Sequence, residues 1–163
     1  MASAIVFSSL INGEVMSLQE RLSTELKAAM KARDEFRLST IRMIRSAVKN
    51  REIDQKRELD DQGIIEIVGT LVKQRRESIR LFAEAGRTDL VEKEEQELAT
   101  LLEFLPRQLT REEVAALVDE AIATSAAKGP ADMGRVMKVV MPLVAGRAEG
   151  SVVNNLVREK LAG

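Results

Sequence analysis

A chain of 163 residues, 45% of them apolar, has enough material for one or two small cores. It contains no His and no Cys, which excludes Ser-His-Asp and Cys-His nucleophiles, nitrogen- or sulfur-ligated zinc and disulfides, and leaves carboxylate, Lys or Ser/Thr chemistry only. A formal net charge of −1 argues against adhesion to nucleic acid by bulk charge.

Residues 1–15 have no Lys or Arg, so they lack the basic start of a secretory signal. They are expected to be a disordered or non-native extension, with the natural start at Met16. From Ser17, an N-cap with Glu20 at the capping-box position, Leu18, Leu22 and Leu26 recur every four residues and Met30 continues the row, and a first helix should reach about Arg33. A second should run from Asp34 to about Arg57. Ile41, Ile44 and Val48 share one of its faces, and Arg42, Arg45, Lys49 and Lys56 share the opposite one. Leu38 and Ile53 break that division. Asp60 or Asp61 should cap a third helix through Ile64, Ile67, Leu71, Val72, Ile79 and Phe82, closed by Gly86 as its C′ residue. Thr88 should cap a fourth, ended by Pro106.

Thr110 and Glu113 form a second capping box, opening a fifth helix through Val114, Val118 and Ala121. A sixth carries Met133, Val136, Met137, Val140, Met141 and Val144 on one stripe, with Pro142 on the other side, where it would bend the helix. A seventh, capped by Ser151, turns Val153, Leu156, Val157 and Leu161 inward. The expected fold is all-α: an N-terminal four-helix domain over residues 16–105, then a three-helix C-terminal domain over residues 106–163.

Charge is uneven. Residues 17–57 hold 11 Lys/Arg against 6 Asp/Glu, and residues 58–105 hold 6 against 12. The simplest reading is attraction between the second helix and the third and fourth, or a neighbouring copy; the sharper one is a basic face for a polyanion. Arg75, Arg76 and Arg80 read as a solvated face of mixed ion pairs. The acidic run at residues 92–97 scatters round its helix and is a poor metal site. No glycine-rich phosphate loop is present, so no nucleotide cofactor is expected, and no run is long enough to span a membrane.

The last 31 residues contain "AGRAEG", with Arg147 between Gly146 and Gly150 at the corner joining two helices. Arg135 and Lys138 on the sixth helix, and Asn154, Asn155 and Arg158 on the seventh, fall outward of the apolar stripes. Together they offer fork-shaped donors and amides suited to phosphate and ribose oxygens. A structural C-cap turn, with Arg147 bridging the helix ends, accounts for the same residues.

Several stretches resemble one family. "MGRVMKVVMPLVAGRAEGSVVNNLVREKL", "RLSTIRMIRSAVKNREID", "KQRRESIRLFAEAGRTDLVEKEEQEL" and "FLPRQLTREEV" are similar in order to the YqeY family, the GatB/YqeY domain proteins, over residues 16–162. The resemblance implies an all-α protein whose C-terminal part is similar to the tRNA-recognising tail of the B subunit of glutamine-dependent tRNA amidotransferase. That enzyme's catalytic regions have no counterpart here, so the family label of carbon–nitrogen ligase with glutamine as amido donor would be inherited from the larger protein. The expectation is a non-catalytic, cytoplasmic RNA-binding module contacting tRNA, with no catalytic residue, metal or cofactor. A protein-interaction adaptor or homo-oligomer, and an amidotransferase-like enzyme, are the alternatives.

Overall fold

A computed structural model describes residues 10, 11 and 14–163, with side chains from Met16 onward. The expected extension over residues 1–15 therefore lies largely outside the described residues; of that stretch, Leu10–Ile11 and Glu14–Val15 pair as a two-residue antiparallel ladder. All else that is regular is helical, in two compact units, the first closing at Pro106 and the second running from Arg107 to Gly163.

The first unit has four helices: α1 (Leu18–Ala32), α2 (Glu35–Gln55), α3 (Asp61–Glu84) and α4 (Thr88–Leu102). Ser17 and Glu20 form the expected capping box on α1, and Asp61 of α3 accepts the Leu18 N–H at 2.9 Å, so two helix starts are tied together. Asp34 and Asp60 cap α2 and α3. Gly86 adopts the left-handed conformation (φ 70°) expected of a residue closing α3. At α4 the cap differs from expectation. Arg87 is the N-cap and Thr88 the first helical residue, because the Leu90 and Val91 N–H groups both donate to the Arg87 carbonyl. The core is Leu- and Ile-rich, with Phe104 fully buried beneath the Arg21 guanidinium, 4.7 Å from the ring centroid.

The second unit packs α5 (Arg111–Ser125), α6 (Met133–Val144) and α7 (Gly150–Ala162), with a single 3₁₀ turn, Pro130–Asp132, leading into α6. Thr110 and Glu113 form their capping box. Val136, Val140 and Val144 of α6 are fully buried, as its stripe predicts, and meet Val114, Val118, Val153 and Val157. Pro142 lies on the exposed side of α6, where its missing N–H leaves the Lys138 carbonyl without its helical partner. Glu149, not Ser151, is the N-cap of α7: the Val152 and Val153 N–H groups donate to its carbonyl, which places Ser151 inside the first turn.

Candidate nucleic-acid interface

The corner between α6 and α7 is held from two sides. Gly146 takes φ 72°, a left-handed conformation that glycine adopts without a Cβ clash. The Arg147 N–H donates back to the Val144 carbonyl at 2.8 Å. From the segment before α5, Gln108 Nε2 donates to the Gly146 carbonyl at 2.9 Å, and the Leu109 N–H donates to the Arg147 carbonyl at 2.8 Å. The Arg147 backbone is thereby fixed. Its half-buried side chain has no hydrogen bond or ion pair among the described residues. Lys138, on the outer face of α6 beside Pro142, is exposed and likewise without a partner.

The other four residues are placed differently. The Arg135 guanidinium donates to the Asp132 carboxylate and to the Ser125 carbonyl (3.0 Å), so it pins the loop between α5 and α6. It also sits at the start of α6, about 13 Å of helix from the corner. Arg158 Nη2 donates to Asn154 Oδ1 at 3.1 Å along one face of α7, and Asn155 is exposed beside them. Of the six, Arg147 and Lys138 offer uncommitted charge, Arg158 and Asn154 form a linked pair, and Arg135 is occupied locally.

In the first unit, Arg42, Arg45 and Lys49 are exposed and free of carboxylates among the described residues. Lys56 falls beyond the last turn of α2 as its left-handed C-cap (φ 53°), also exposed. The first three line a groove of about 530 Å³ between α1 and α2, whose α1 side is Gln19 and Leu26. Its acid, Glu52, is committed: Glu52 Oε1 accepts from Gln19 Nε2 at 2.9 Å and from the Leu59 N–H at 3.0 Å.

The expected attraction between α2 and the acidic half forms through Arg37, which meets Glu103 at the end of α4 at 2.6 Å, whereas Arg42, Arg45 and Lys49 make no ion pair among the described residues. Five acids of α3 and α4 are taken inside their own hairpin: Arg75 Nε lies 2.6 Å from Glu97 and 3.4 Å from Glu94, Arg80 clasps Glu77 and Glu84, and Arg87 pairs with Asp89. Partners one turn away or on the facing helix cost less chain ordering than distant ones. The reading of Arg80 as part of a mixed ion-paired face is met. Arg75 departs from that reading: Glu94 and Glu97 of the acidic run converge on its guanidinium, and all three side chains are mostly covered rather than on a solvated face. Shifted pKa values follow the same pairs. Arg80 holds the Glu77 carboxyl below its ordinary value, Arg87 does the same to Asp89, and Arg107 with the Thr110 N–H draws Glu113 down to about 2. These are structural ion pairs rather than an acid and a base poised near neutrality.

The segment holding the corner, Gln108 and Leu109, carries no sequence signal, because its partners lie 38 residues away. Ile53 did carry one, as the apolar residue out of place on the basic face of α2; it is 60% exposed.

A family model described as "Yqey-like protein" matches residues 19–161. Among characterised sequences the chain is similar to "Altered inheritance of mitochondria protein 41, mitochondrial" of three yeasts. The Kluyveromyces lactis protein is 43% identical over 101 residues, covering 60% of this chain and 54% of that protein. That of Lachancea thermotolerans is 38% identical over 104 residues (60% and 56%), and that of Eremothecium gossypii 40% over 101 (60% and 55%). The chain spans about half the length of these relatives.

Proposed function

The chain belongs to the YqeY family, and from that premise we propose that it is a non-catalytic binding module for RNA, with tRNA the first ligand to test. The observation that supports this reading is Arg147: a guanidinium on a backbone fixed by Gln108 and Leu109, with no carboxylate to satisfy it among the described residues. Lys138 and the Arg158–Asn154 pair supply further donors of the kind that grip phosphate and ribose oxygens. With no Trp or Tyr to stack on bases, recognition is by backbone and shape, so binding falls steeply with salt.

The test is an anisotropy titration of the full chain with labelled tRNA at low and moderate salt. Wild type forms a salt-sensitive complex at micromolar concentration, and the double variant Lys138→Glu, Arg147→Glu weakens it by on the order of tenfold or more. Failure to form any salt-sensitive complex ends the proposal. The enzymatic alternative, an amidotransferase-like use of glutamine, lacks imidazole and thiol groups to carry it; ammonia release from glutamine by the purified chain would revive it. For location, the relatives' names say mitochondrial while the sequence reading was cytoplasmic, and fractionation of the source cells separates the two. No helix among the described residues is long and apolar enough to cross a membrane.

A further inference from the structure

Two large apolar side chains that remain exposed mark opposite ends of one feature, the α1–α2 groove. Met30 is 54% exposed and Ile53 60%. Met30 follows the groove-lining Leu26 by one turn of α1, and Ile53 follows the groove-lining Lys49 by one turn of α2, so each continues a row already in the groove. The helices run antiparallel through the tight turn at Arg33 and Asp34, and the Gln19–Glu52 hydrogen bond joins the start of α1 to the end of α2. Met30 therefore stands near one end and Ile53 near the other. From Gln19 to Met30 is about 16 Å of helix, or three turns.

Between these ends the groove has two characters. Half-buried Leu26 gives it an apolar floor, with Val48 beneath it almost wholly in the core, and Arg42, Arg45 and Lys49 give its α2 lip three cations with no partner among the described residues. Glu52, held by Gln19 and Leu59 at the far end of the groove, forms no ion pair with the lip, and its one negative charge leaves the three cations in excess. A single exposed Ile or Met is ordinary. Two of them closing the ends of a concave strip, apolar below and cationic along one side, describe a receptor for something amphipathic.

The possible occupants differ in what they would use. A phosphate backbone uses the cations and leaves Met30, Ile53 and the floor idle. A flat membrane surface does not reach a floor set between two helices. An amphipathic helix uses everything: its apolar stripe lies on Leu26 and meets Met30 at one end and Ile53 at the other, and carboxylates along one flank face the lip. This chain's own acidic helix, α4, packs Leu98 and Leu101 into its own core, so a second copy does not offer the stripe.

We propose that the α1–α2 groove is the docking site for an acidic amphipathic helix of a partner protein. The site is separate from the corner at Arg147, and either can fail without the other.

The probe is a fluorescein-labelled, acetylated and amidated peptide of about 12 residues, enough for three turns, with Leu at helical spacing and Glu along one flank. It is titrated into the full chain by anisotropy. Saturable binding is expected. Met30→Ser and Ile53→Ser, both surface changes, should each weaken it by on the order of tenfold, as loss of one buried apolar side chain implies. The triple variant Arg42→Glu, Arg45→Glu, Lys49→Glu should lose it, and a peptide with Lys in place of Glu should bind that variant instead. Lys138→Glu with Arg147→Glu should bind the peptide as wild type does. The proposal is overturned if the peptide does not bind, if a scrambled peptide of the same composition binds equally, or if the Met30 and Ile53 variants bind unchanged. It is also overturned if a short single-stranded RNA displaces the peptide with an affinity indifferent to Met30 and Ile53, since the groove would then be a polyanion site.

Discussion

The two units solve the same packing problem with different means. The core of the first has 16 buried residues, mostly Leu and Ile, around Phe104; that of the second has nine, seven of them Val. Small β-branched side chains let α5, α6 and α7 approach closely but remove less apolar surface per residue. The second unit makes up for this at its helix ends. Arg107 pairs with Glu113 in the α5 capping box, Arg111 with Glu159, Lys160 with Asp119, and Gln108 and Leu109 hold the corner. The lesson concerns function: where the core is thin, half of the eight cations (Arg107, Arg111, Arg135 and Lys160) are held in ion pairs, and Arg147 and Lys138 are among those left over. Where the core is ample, a whole face of α2 stays uncommitted.

Cutting each core at a fully buried residue should give the largest effects. Phe104→Ala should destabilise the first unit by about 3–5 kcal/mol, and Val140→Ala the second by about 2 kcal/mol, the transfer of two methyl groups plus a residual cavity. The smaller loss should nevertheless open more of its unit. Hydrogen exchange resolved by residue should show α5–α7 amides losing protection in Val140→Ala, and unchanged protection there would mean that the end contacts, not the valines, hold the unit together.

Next in size are the two left-handed glycines, Gly86 at the α3–α4 turn and Gly146 at the corner. An added Cβ costs about 1–2 kcal/mol at either. At Gly146 it also strains the carbonyl that Gln108 holds, so Gly146→Ala should lower the urea midpoint more than Gly86→Ala does. Equal shifts would show that the bond from Gln108 contributes nothing.

Much of this architecture was legible because it is local. Ser17 with Glu20, and Thr110 with Glu113, announce helix starts within four residues, and the Val stripe of α6 repeats within one helix. The two misplaced caps, Thr88 and Ser151, are residues of good capping type that lie one or two positions inside the helix; backbone bonding to the Arg87 and Glu149 carbonyls decided the start instead. What joins distant segments was not legible. The partners of Arg75 are 19 and 22 residues away, and the bond from Gln108 to Gly146 spans 38. The outward direction of Arg135 was readable from helical phase, but its use by Asp132 and Ser125 depends on the path of a loop. Likewise the phase of Ile53 showed it out of place, while Met30, which continues the apolar row of Leu18 and Leu22 in sequence, is 54% exposed because the row runs past the core at the end of α1.

The smallest expected effect compares the two capping boxes. Glu20 and Glu113 occupy the same position, but only Glu113 also meets an arginine among the described residues, with Arg107 Nη2 3.0 Å away. Its carboxyl is lowered from 4.5 to about 2, first by Arg107 and then by the Thr110 N–H. A carboxyl lowered by folding contributes stability that is complete above its ordinary value and is lost as pH falls through the folded one, here between about 4.5 and about 2. Glu113→Gln keeps an acceptor for the Thr110 N–H and removes the charge. It should therefore lower the melting temperature modestly at neutral pH, the exposed pair being screened, and that difference from wild type should vanish as pH falls through the acid window. Glu20→Gln is the matched change in the box that lacks the arginine. If the two variants follow the same acid slope, the arginine on Glu113 adds nothing to the box, and the second unit owes its start to the cap alone.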